Sequence, residues 1–277
     1  MVLSIHLLHL PPYPFNDLRR SLRIITINLT QIINFCIIII VKLGVINTKG
    51  GIMKSKGIFI TSTGTGMGKT YISALLVKKL LETGVKCGYY KPVLSGGVRK
   101  NNGSLKLGDC EYVIRKSGLK AKPQDCVTYA FEGEVSPHFA AKRLKIKVKV
   151  PNIVDDFTIM SLKYPFVVVE GAGGIASPLK LQGKTVLLSH VIQMLGLDMI
   201  IVADAGLGTL NSVLLTVEWA KVRSLPIKGI ILNYYDPENL VHVDNREQIE
   251  KLTGIKVVAT VQKGDKDINI SKKALGL

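Results

Sequence analysis

The chain has 277 residues, of which 47% are hydrophobic and 21% charged, so it can bury a large core and does not have the composition of a disordered protein. Its four cysteines, at positions 36, 87, 110 and 126, form no CxxC pair, which disfavours a zinc site or a disulfide framework and fits a reducing cytoplasm. The net charge of +17 would suit nucleic acid or a membrane surface, but the lysines are scattered and are not interleaved with aromatic residues, so we expect neither partner.

Residues 1–52 have a composition unlike the rest of the chain, with no alanine, no glutamate and many isoleucines. The segment could be a secretion signal, a membrane anchor or an extension outside the working protein. Its apolar stretch at 35–41 is shorter than the roughly 20 residues that span a bilayer, and it has no small-residue cleavage site. We therefore expect Met53 to be the true start, with residues 1–52 disordered or absent from the mature protein.

The segment 58–70 predicts a phosphate-binding loop. An apolar run predicts a strand that enters the turn Thr-Gly-Thr-Gly-Met-Gly-Lys-Thr at 63–70, and apolar residues at helical spacing follow. Glycines at alternate positions let backbone N–H groups converge on phosphate oxygens, the helix start adds its positive dipole end, and Lys69 adds a full charge. Thr70 is placed to offer its hydroxyl to Mg2+. The strict Walker A spacing has glycine at the position of Thr63, yet the strand, turn and helix still predict a nucleotide site.

Apolar runs alternate with helical patterns along the rest of the chain. Strands are predicted at 57–62, 86–91, 165–170, 199–204, 228–233 and 256–261, and helices at 69–83, 108–117, 137–144, 151–162, 186–195, 209–223 and 244–253. This order predicts a single α/β domain of the P-loop type over 53–277, in which helices flank both faces of a parallel sheet. Alternating lysine and apolar residues at 145–150 predict an extended segment or edge strand with one solvent-exposed face.

Functional side chains are expected where the strands end, because ligands bind at the carboxyl ends of the strands in such sheets. The second predicted strand ends at Lys91, and a small polar loop containing Ser95 follows. The third ends at Glu170, where a carboxylate beside a phosphate loop is placed to hold Mg2+. The glycines that begin at Gly171 allow a substrate to approach the backbone closely.

Seven segments, taken in order, resemble the ATP-dependent dethiobiotin synthetase family of P-loop NTPases. They are the loop at 63–70, Tyr-Lys-Pro-Val at 90–93 with Ser95, Asp109 at a helix start, Ser-Pro-His at 136–138, Val-Glu-Gly-Ala-Gly-Gly at 169–174, Gly-Leu-Gly-Thr-Leu-Asn at 206–211 and Gly-Ile-Ile-Leu-Asn at 229–233. The resemblance implies a cytoplasmic, homodimeric ligase of biotin biosynthesis. Such a ligase uses ATP, Mg2+ and CO2 to carboxylate 7,8-diaminononanoate and to close the ureido ring through a carbamic-phosphoric anhydride, releasing ADP and phosphate.

The resemblance also implies roles for single residues. Lys69 and Lys91 would bracket the γ-phosphate and the carbamate that attacks it, while Thr65 and Ser95 would hydrogen-bond the reacting groups. The implied ligands of Mg2+ are Thr70, Asp109 and Glu170.

Contacts with the rest of the two substrates are implied in the same way. The nucleotide would be bound by the loop residues Gly66, Met67, Gly68, Lys69 and Thr70, with Asn233 at the adenine edge. The carboxylate tail of the diamine would lie against a helix start of the partner subunit, at Gly208, Thr209, Leu210 and Asn211.

Two other classes of protein share the loop and the sheet. A partition-type or septum-site ATPase switch would act on DNA or membrane, but such proteins carry a second lysine within the loop, where this chain has Gly64. A cobyrinic-acid-type amidoligase would add a glutaminase domain, for which no residues are left. Ser62 replaces the family's usual glycine, and no proline follows Val261, so adenine and ribose contacts beyond that point are not carried over.

Overall fold

The computed structural model describes residues 56–277, and the expectation for residues 1–52 lies outside this range. The strands are β1 (Lys56–Ser62), β2 (Cys87–Arg99), β3 (Leu105–Lys106), β4 (Val127–Glu132), β5 (Phe166–Glu170), β6 (Pro178–Lys180), β7 (Val186–Leu187), β8 (Asp198–Asp204), β9 (Ile227–Asn233) and β10 (Val257–Val261). The α-helices are α1 (Lys69–Glu82), α2 (Gly108–Ser117), α3 (Pro137–Arg143), α4 (Val150–Lys163), α5 (Leu188–Leu195), α6 (Thr209–Val222) and α7 (Leu240–Thr253). Within this part of the chain, none of the helices is long and apolar enough to cross a bilayer.

Eight strands form the central sheet, in the order β10-β9-β8-β1-β5-β2-β3, with β4 also paired to β2. All pairs in it are parallel except that of β2 with the short β3. Strands β6 and β7 form a separate antiparallel hairpin. The predicted fold class, a largely parallel sheet in a P-loop type α/β domain, is confirmed.

The sheet separates two hydrophobic cores, because alternate residues of a strand face opposite sides. In β1, Ile58 and Ile60 pack with buried residues of α1 and α2, whereas Phe59 packs with buried residues of α3 to α7. Strands buried on both faces read as continuous apolar runs, which is why the sequence predicts them well. The predicted helices on both faces of the sheet are therefore confirmed.

Several element boundaries differ from the predictions. The helix predicted from 186 begins at Leu188 because residues 186 and 187 pair with β6, and the helix predicted from 244 begins at Leu240, capped by Asn239 Oδ1, which accepts from Val241 N–H at 3.0 Å. Ser95 lies within the long strand β2 rather than in a loop. Of the segment predicted as an extended edge at 145–150, residues 145–149 connect α3 to α4 without pairing, Val150 begins α4, and Val148 is buried.

Strand β2 changes its neighbour at Lys91, and this change positions the site. Up to Tyr90 it pairs with β5, and from Lys91 it pairs with β4. Strand β5 ends at Glu170, opposite Ile60 of β1, and its pairing with β2 ends at Tyr90. Lys91 therefore lies beside this carboxyl edge, although β2 does not end there, as the sequence predicted, but continues to Arg99. The phosphate loop, Glu170 and Lys91 therefore meet at one edge of the sheet.

We expect Gly57→Ala to destabilise the fold by about 1–3 kcal/mol, the usual cost of overpacking a well-packed core. A Cβ at Gly57 would lie 2.6 Å from the backbone oxygen of Val167 on the neighbouring strand, which cannot move aside without breaking the sheet. Urea unfolding measures the effect. Gly108→Ala is the control, because a Cβ there meets nothing within 4 Å. Equal unfolding midpoints for the two variants would contradict the prediction.

Candidate active site

The phosphate loop between β1 and α1 depends on glycine at two positions. Gly66 and Gly68 adopt left-handed backbone angles, with φ of 82° and 84°. At Gly68 a side chain is also excluded by space, since a Cβ would lie 2.1 Å from Asn233 Nδ2. Helix α1 starts directly afterwards, and Ile72 N–H donates to the Gly68 carbonyl at 2.9 Å. The backbone N–H groups of the loop are therefore followed directly by those of a helix N-terminus, and together they form a favourable site for an anion.

Asn233, at the end of β9, supports the loop from inside the fold. Its side chain is fully buried, and Nδ2 donates to the Met67 carbonyl at 3.1 Å. Asn233 Oδ1 is buried and has no hydrogen-bond partner among the described residues. A buried acceptor without a partner is uncommon in proteins and is a natural place for a ligand to donate a hydrogen bond.

Lys69 is held close to the loop by neutral oxygens. Its Nζ donates to Ser62 Oγ at 3.0 Å and to the Gly64 carbonyl at 3.3 Å. The Ser62 hydroxyl also lies 2.6 Å from the Gly64 carbonyl oxygen and 3.2 Å from that of Gly173. Burial lowers the pKa of Lys69 from 10.5 to about 8, although the charge of Glu170 opposes this shift. The serine that departs from the family pattern thus contacts the phosphate-loop lysine directly.

Glu170, at the tip of β5, accepts hydrogen bonds on both carboxylate oxygens. Lys91 Nζ lies 2.6 Å and Thr70 Oγ1 lies 2.7 Å from Oε1, while the Tyr89 hydroxyl donates to Oε2 at 2.8 Å. Lys91 also donates to Asp109 in the first turn of α2. Asp109 uses its side chain for this contact and makes no capping hydrogen bond to its own helix.

The Lys91–Glu170 pair is ionised although it is buried. Burial by itself would raise the pKa of Glu170, but the charge of Lys91 and the hydrogen bonds from Lys91, Thr70 and Tyr89 hold it below its ordinary value. Burial would lower the pKa of Lys91, but Glu170 and Asp109 raise it above its ordinary value. Both groups therefore keep their charges at neutral pH.

A cavity of about 630 Å³ collects most of the predicted site residues. It is lined by Thr65, Gly66, Gly68, Lys69, Thr70, Lys91, Ser95, Asp109 and Glu170. The Ser95 hydroxyl is buried, with no hydrogen-bond partner in the described part of the chain. With Glu134, which also lines it, the cavity presents two ammonium groups, three carboxylates and several hydroxyl groups to a ligand.

The other predicted site residues lie outside this lining. Gly171 packs beneath it, where a Cβ would lie 2.7 Å from Leu188 Cδ2. Residues 208–211 form the start of α6, with Gly208 at the N-cap. Asn211 lines a second cavity of about 500 Å³, which shares Thr65 and Ser177 with the first.

The donor set at the loop fits Mg2+ if a phosphate is also present. The predicted ligands supply two carboxylates and one hydroxyl, and Mg2+ is usually bound by one or two carboxylates together with substrate phosphates. Thr70 Oγ1 is already hydrogen-bonded to Glu170, and Lys91 joins Glu170 to Asp109. Over residues 56–277, no group of three or more His, Cys, Asp or Glu side chains could hold a metal ion by itself.

Sequence reasoning missed three residues of the site. Tyr89 lies within an apolar run and gave no sign of its bond to Glu170, and Glu134, which lines the cavity, follows a strand that was not predicted. Ser62 was noticed only as a departure from the family's glycine. A polar residue at a normally glycine position beside a phosphate loop is the signal that could have identified it.

In this fold the first strand of a largely parallel sheet runs through a glycine-rich loop into a helix, and lysines and carboxylates surround that loop. These features define a P-loop nucleotide-binding protein. A family model described as an AAA domain matches residues 56–269. The ATP-dependent dethiobiotin synthetase BioD of Clostridium botulinum (strain Alaska E43 / Type E3) is 42% identical over 221 residues, which cover 80% of this chain and 96% of that protein. The protein of the same name from strain Okra / Type B1 is 44% identical over 192 residues, covering 69% and 84%. The chain belongs to the family of ATP-dependent dethiobiotin synthetases.

Solved structures give weaker likenesses. A ParA family ATPase from Chlorobium tepidum TLS is 17% identical, covers 77% of this chain and 86% of its own, and has a TM-score of 0.45. The septum site-determining protein MinD complexed with Mg-ADP, from Pyrococcus horikoshii OT3, is 21% identical, covers 75% and 81%, and has a TM-score of 0.46. Likenesses of this degree do not bear on the activity.

We expect Lys69 to make a contribution to the stability of the ligand-free protein that grows with pH between about 8 and 10.5, and Lys69→Met to lack this contribution. In this window the unfolded chain still holds the Lys69 proton whereas the folded chain has released it, so a higher pH favours the folded state. Below about pH 8 both states are protonated and this contribution is constant.

Denaturant unfolding from about pH 7.5 to about pH 9.5 tests this dependence in wild type, in Lys69→Met and in a control. Lys184→Met is the control because Lys184 is exposed, and we expect it to keep the wild-type slope. Parallel pH dependences for wild type and Lys69→Met would contradict the prediction.

Proposed function

We propose that this protein is an ATP-dependent dethiobiotin synthase, a ligase that carboxylates 7,8-diaminononanoate with CO2 and closes the ureido ring in biotin biosynthesis. The observation that carries the proposal is the convergence of Lys69, Lys91 and Glu170 on one cavity beside the phosphate loop. The 42% identity to a synthetase of this name, over nearly all of that protein, supports it.

The proposed reaction has three steps. A neutral amine of the diamine adds to CO2 and releases a proton, which gives a carbamate. A carbamate oxygen attacks the γ-phosphorus of ATP, ADP leaves, and a carbamic-phosphoric anhydride forms. The second amine then attacks the carbamoyl carbon and loses a proton as the ring closes and phosphate leaves. The protein contributes mainly positioning and charge neutralisation, because the reacting groups all belong to the substrates.

We propose that the two lysines neutralise the negative charge that develops on the reacting groups. Lys69, at the start of α1, would face the γ-phosphate, and Lys91 would neutralise the carbamate and the transferring phosphoryl group. Thr65 and Ser95 would donate hydrogen bonds to these anions, and the buried, unpaired hydroxyl of Ser95 supports this role.

We assign Mg2+ to Thr70, Asp109 and Glu170. A bound Mg2+ neutralises charge on the β- and γ-phosphate oxygens in such sites. Lys91 pairs with both carboxylates and so holds them on the same side of the cavity.

The remaining contacts with the nucleotide are assigned to the phosphate loop and to Asn233, which holds the loop in place. The backbone N–H groups of Gly66, Met67 and Gly68 would bind phosphate oxygens, and the unpaired Asn233 Oδ1 would accept a hydrogen bond from the adenine amino group. Gly171 would act only by its lack of a side chain, which leaves space for Leu188 beneath the cavity.

We also propose a homodimer in the cytoplasm. Leu215 and Val222 on α6 are 64% and 79% exposed, and Leu207 just before that helix is 99% exposed, which supports burial against a second copy. The start of this helix, at 208–211, would then bind the carboxylate tail of the partner's diamine through backbone N–H groups. The free, buried cysteines Cys87, Cys110 and Cys126 support a reducing compartment.

The function is tested with purified protein, MgATP, bicarbonate and 7,8-diaminononanoate. We expect ADP release to depend on the diamine and dethiobiotin to be detected by mass. ADP release that ignores the diamine and is stimulated by DNA or vesicles would favour a switch ATPase instead and would overturn the proposal.

We expect Lys91→Gln to lower turnover by about 10²–10³-fold or more, the usual loss when a charge-stabilising group is removed, while leaving ATP binding largely intact. The change also leaves Glu170 buried without its ion pair, which destabilises the fold. Urea unfolding of Lys91→Gln shows whether the variant is folded and so separates loss of folding from loss of chemistry. Lys184→Gln is the control, and wild-type turnover in folded Lys91→Gln would remove Lys91 from the reaction.

We expect Leu215→Asp to convert the dimer into monomers, because a carboxylate would be placed in the proposed apolar interface. Sedimentation velocity measures the change. Leu162→Asp alters an equally exposed leucine on α4 (59%, against 64% for Leu215) and should stay dimeric. A monomeric wild type, or a dimeric Leu215→Asp variant, would contradict the proposed assembly.

A further inference from the structure

Glu134 lies in the connection between β4 and α3 and lines the proposed active cavity. Two backbone hydrogen bonds hold this connection against β2, from Gly96 N–H to the Gly133 carbonyl at 2.7 Å and from Gly133 N–H to the Gly97 carbonyl at 3.0 Å. Glu134 Cγ is 3.6 Å from the position that a Cβ on Gly96 would occupy. The backbone just before Glu134 is therefore fixed beside Gly96 and Gly97, while Glu134 itself is exposed and lines the cavity.

Among the carboxylates that line the cavity, that of Glu134 differs in having no cationic partner in the described part of the chain. Lys91 forms ion pairs with Asp109 and with Glu170, so each of these carboxylates already has a cationic partner. No residue within the described range 56–277 forms a hydrogen bond or an ion pair with the Glu134 carboxylate. Lys69, the other cation of the cavity, is held by Ser62 and Gly64 instead.

A free carboxylate in a phosphate-binding cavity repels a nucleotide, so it suits only a positively charged ligand. The diamine substrate carries such a charge. While one of its nitrogens is the carbamate, the other is an ammonium group until it loses its proton for ring closure. Val135, Pro137 and Pro178 line the same cavity and give its aliphatic chain an apolar surface.

We propose that Glu134 binds the free ammonium group of the diamine and so makes the cavity selective for a diamine over a monoamine. The inference rests on the proposed function. It assigns Glu134 to substrate binding, with Lys69, Lys91 and the nucleotide carrying the chemistry. A carboxylate that contacts an ammonium group forms a charge-assisted hydrogen bond, which is about twice as strong as a neutral one.

Steady-state kinetics of Glu134→Gln test the proposal. We expect KM for the diamine to rise about 10-fold, the scale expected when a charged hydrogen-bond partner is lost, with kcat and KM for ATP within about 3-fold of wild type. Calorimetric titration of the diamine into the MgADP-bound protein should show the same rise in Kd. Glu134→Asp keeps the charge on a shorter side chain and should recover part of the affinity.

Glu132→Gln is the matched control. It removes the same charge two residues away, but the Glu132 carboxylate pairs with Arg99 at 2.9 Å and does not line the cavity. We expect it to leave KM for the diamine unchanged. The comparison separates binding of the substrate from a general effect of one lost charge.

Three results would overturn the inference. An unchanged KM for the diamine in Glu134→Gln would show that the carboxylate faces only solvent. A parallel rise in KM for ATP or in the Mg2+ requirement would place it with the nucleotide or the metal. A wild-type protein without diamine-dependent turnover would overturn the proposed function itself, whereas the first two results leave that function standing.

Discussion

The ion pair between Lys91 and Glu170 is the interaction on which the site depends. The Glu170 side chain is fully buried, and an isolated charge there would cost on the order of several kcal/mol. Lys91 at 2.6 Å, with hydrogen bonds from Thr70 and Tyr89, compensates that cost and occupies both carboxylate oxygens. Two opposite charges are therefore held at fixed positions beside a phosphate loop, in a place that would otherwise be apolar.

The parallel sheet makes this arrangement possible. Strands β1, β5 and β2 are neighbours, and β1 and β5 end at the edge where β2 reaches Lys91, so three segments far apart in sequence meet there. The more distant strand β9 contributes Asn233, whose amide holds the Met67 carbonyl and leaves no space for a side chain at Gly68. The loop conformation is thus fixed by the sheet and by its own glycines together.

The parts of the fold that were predictable carry local signals. Buried parallel strands are apolar runs, and the phosphate loop is a glycine pattern between a strand and a helix. Strand β4 was missed because Val127–Glu132 is mostly half-buried and mixes polar with aromatic residues, and it is defined by pairing with β2. Glu170 was found because it is the last residue of β5, and Lys91 because a predicted strand ended there, although β2 continues to Arg99.

The contacts that could not be predicted depend on side-chain directions across the fold. Tyr89 is two residues before Lys91 and faces the same way, but only the register of β2 against β5 brings its hydroxyl to Glu170. Ser62 gains its role because Lys69 folds back over the loop. Neither feature has a pattern in the sequence, since both are set by distances between separate elements.

The different partners of Lys69 and Lys91 make one cation releasable and the other tethered. An arriving phosphate has to displace only a hydroxyl and a carbonyl oxygen to recruit the ammonium of Lys69. Moving Lys91 away from Glu170 would leave the buried carboxylate without its cationic partner, so Lys91 keeps its position when substrates bind. The cavity therefore combines a lysine that can move to meet the phosphate of the nucleotide with a lysine whose fixed position orients the carbamate.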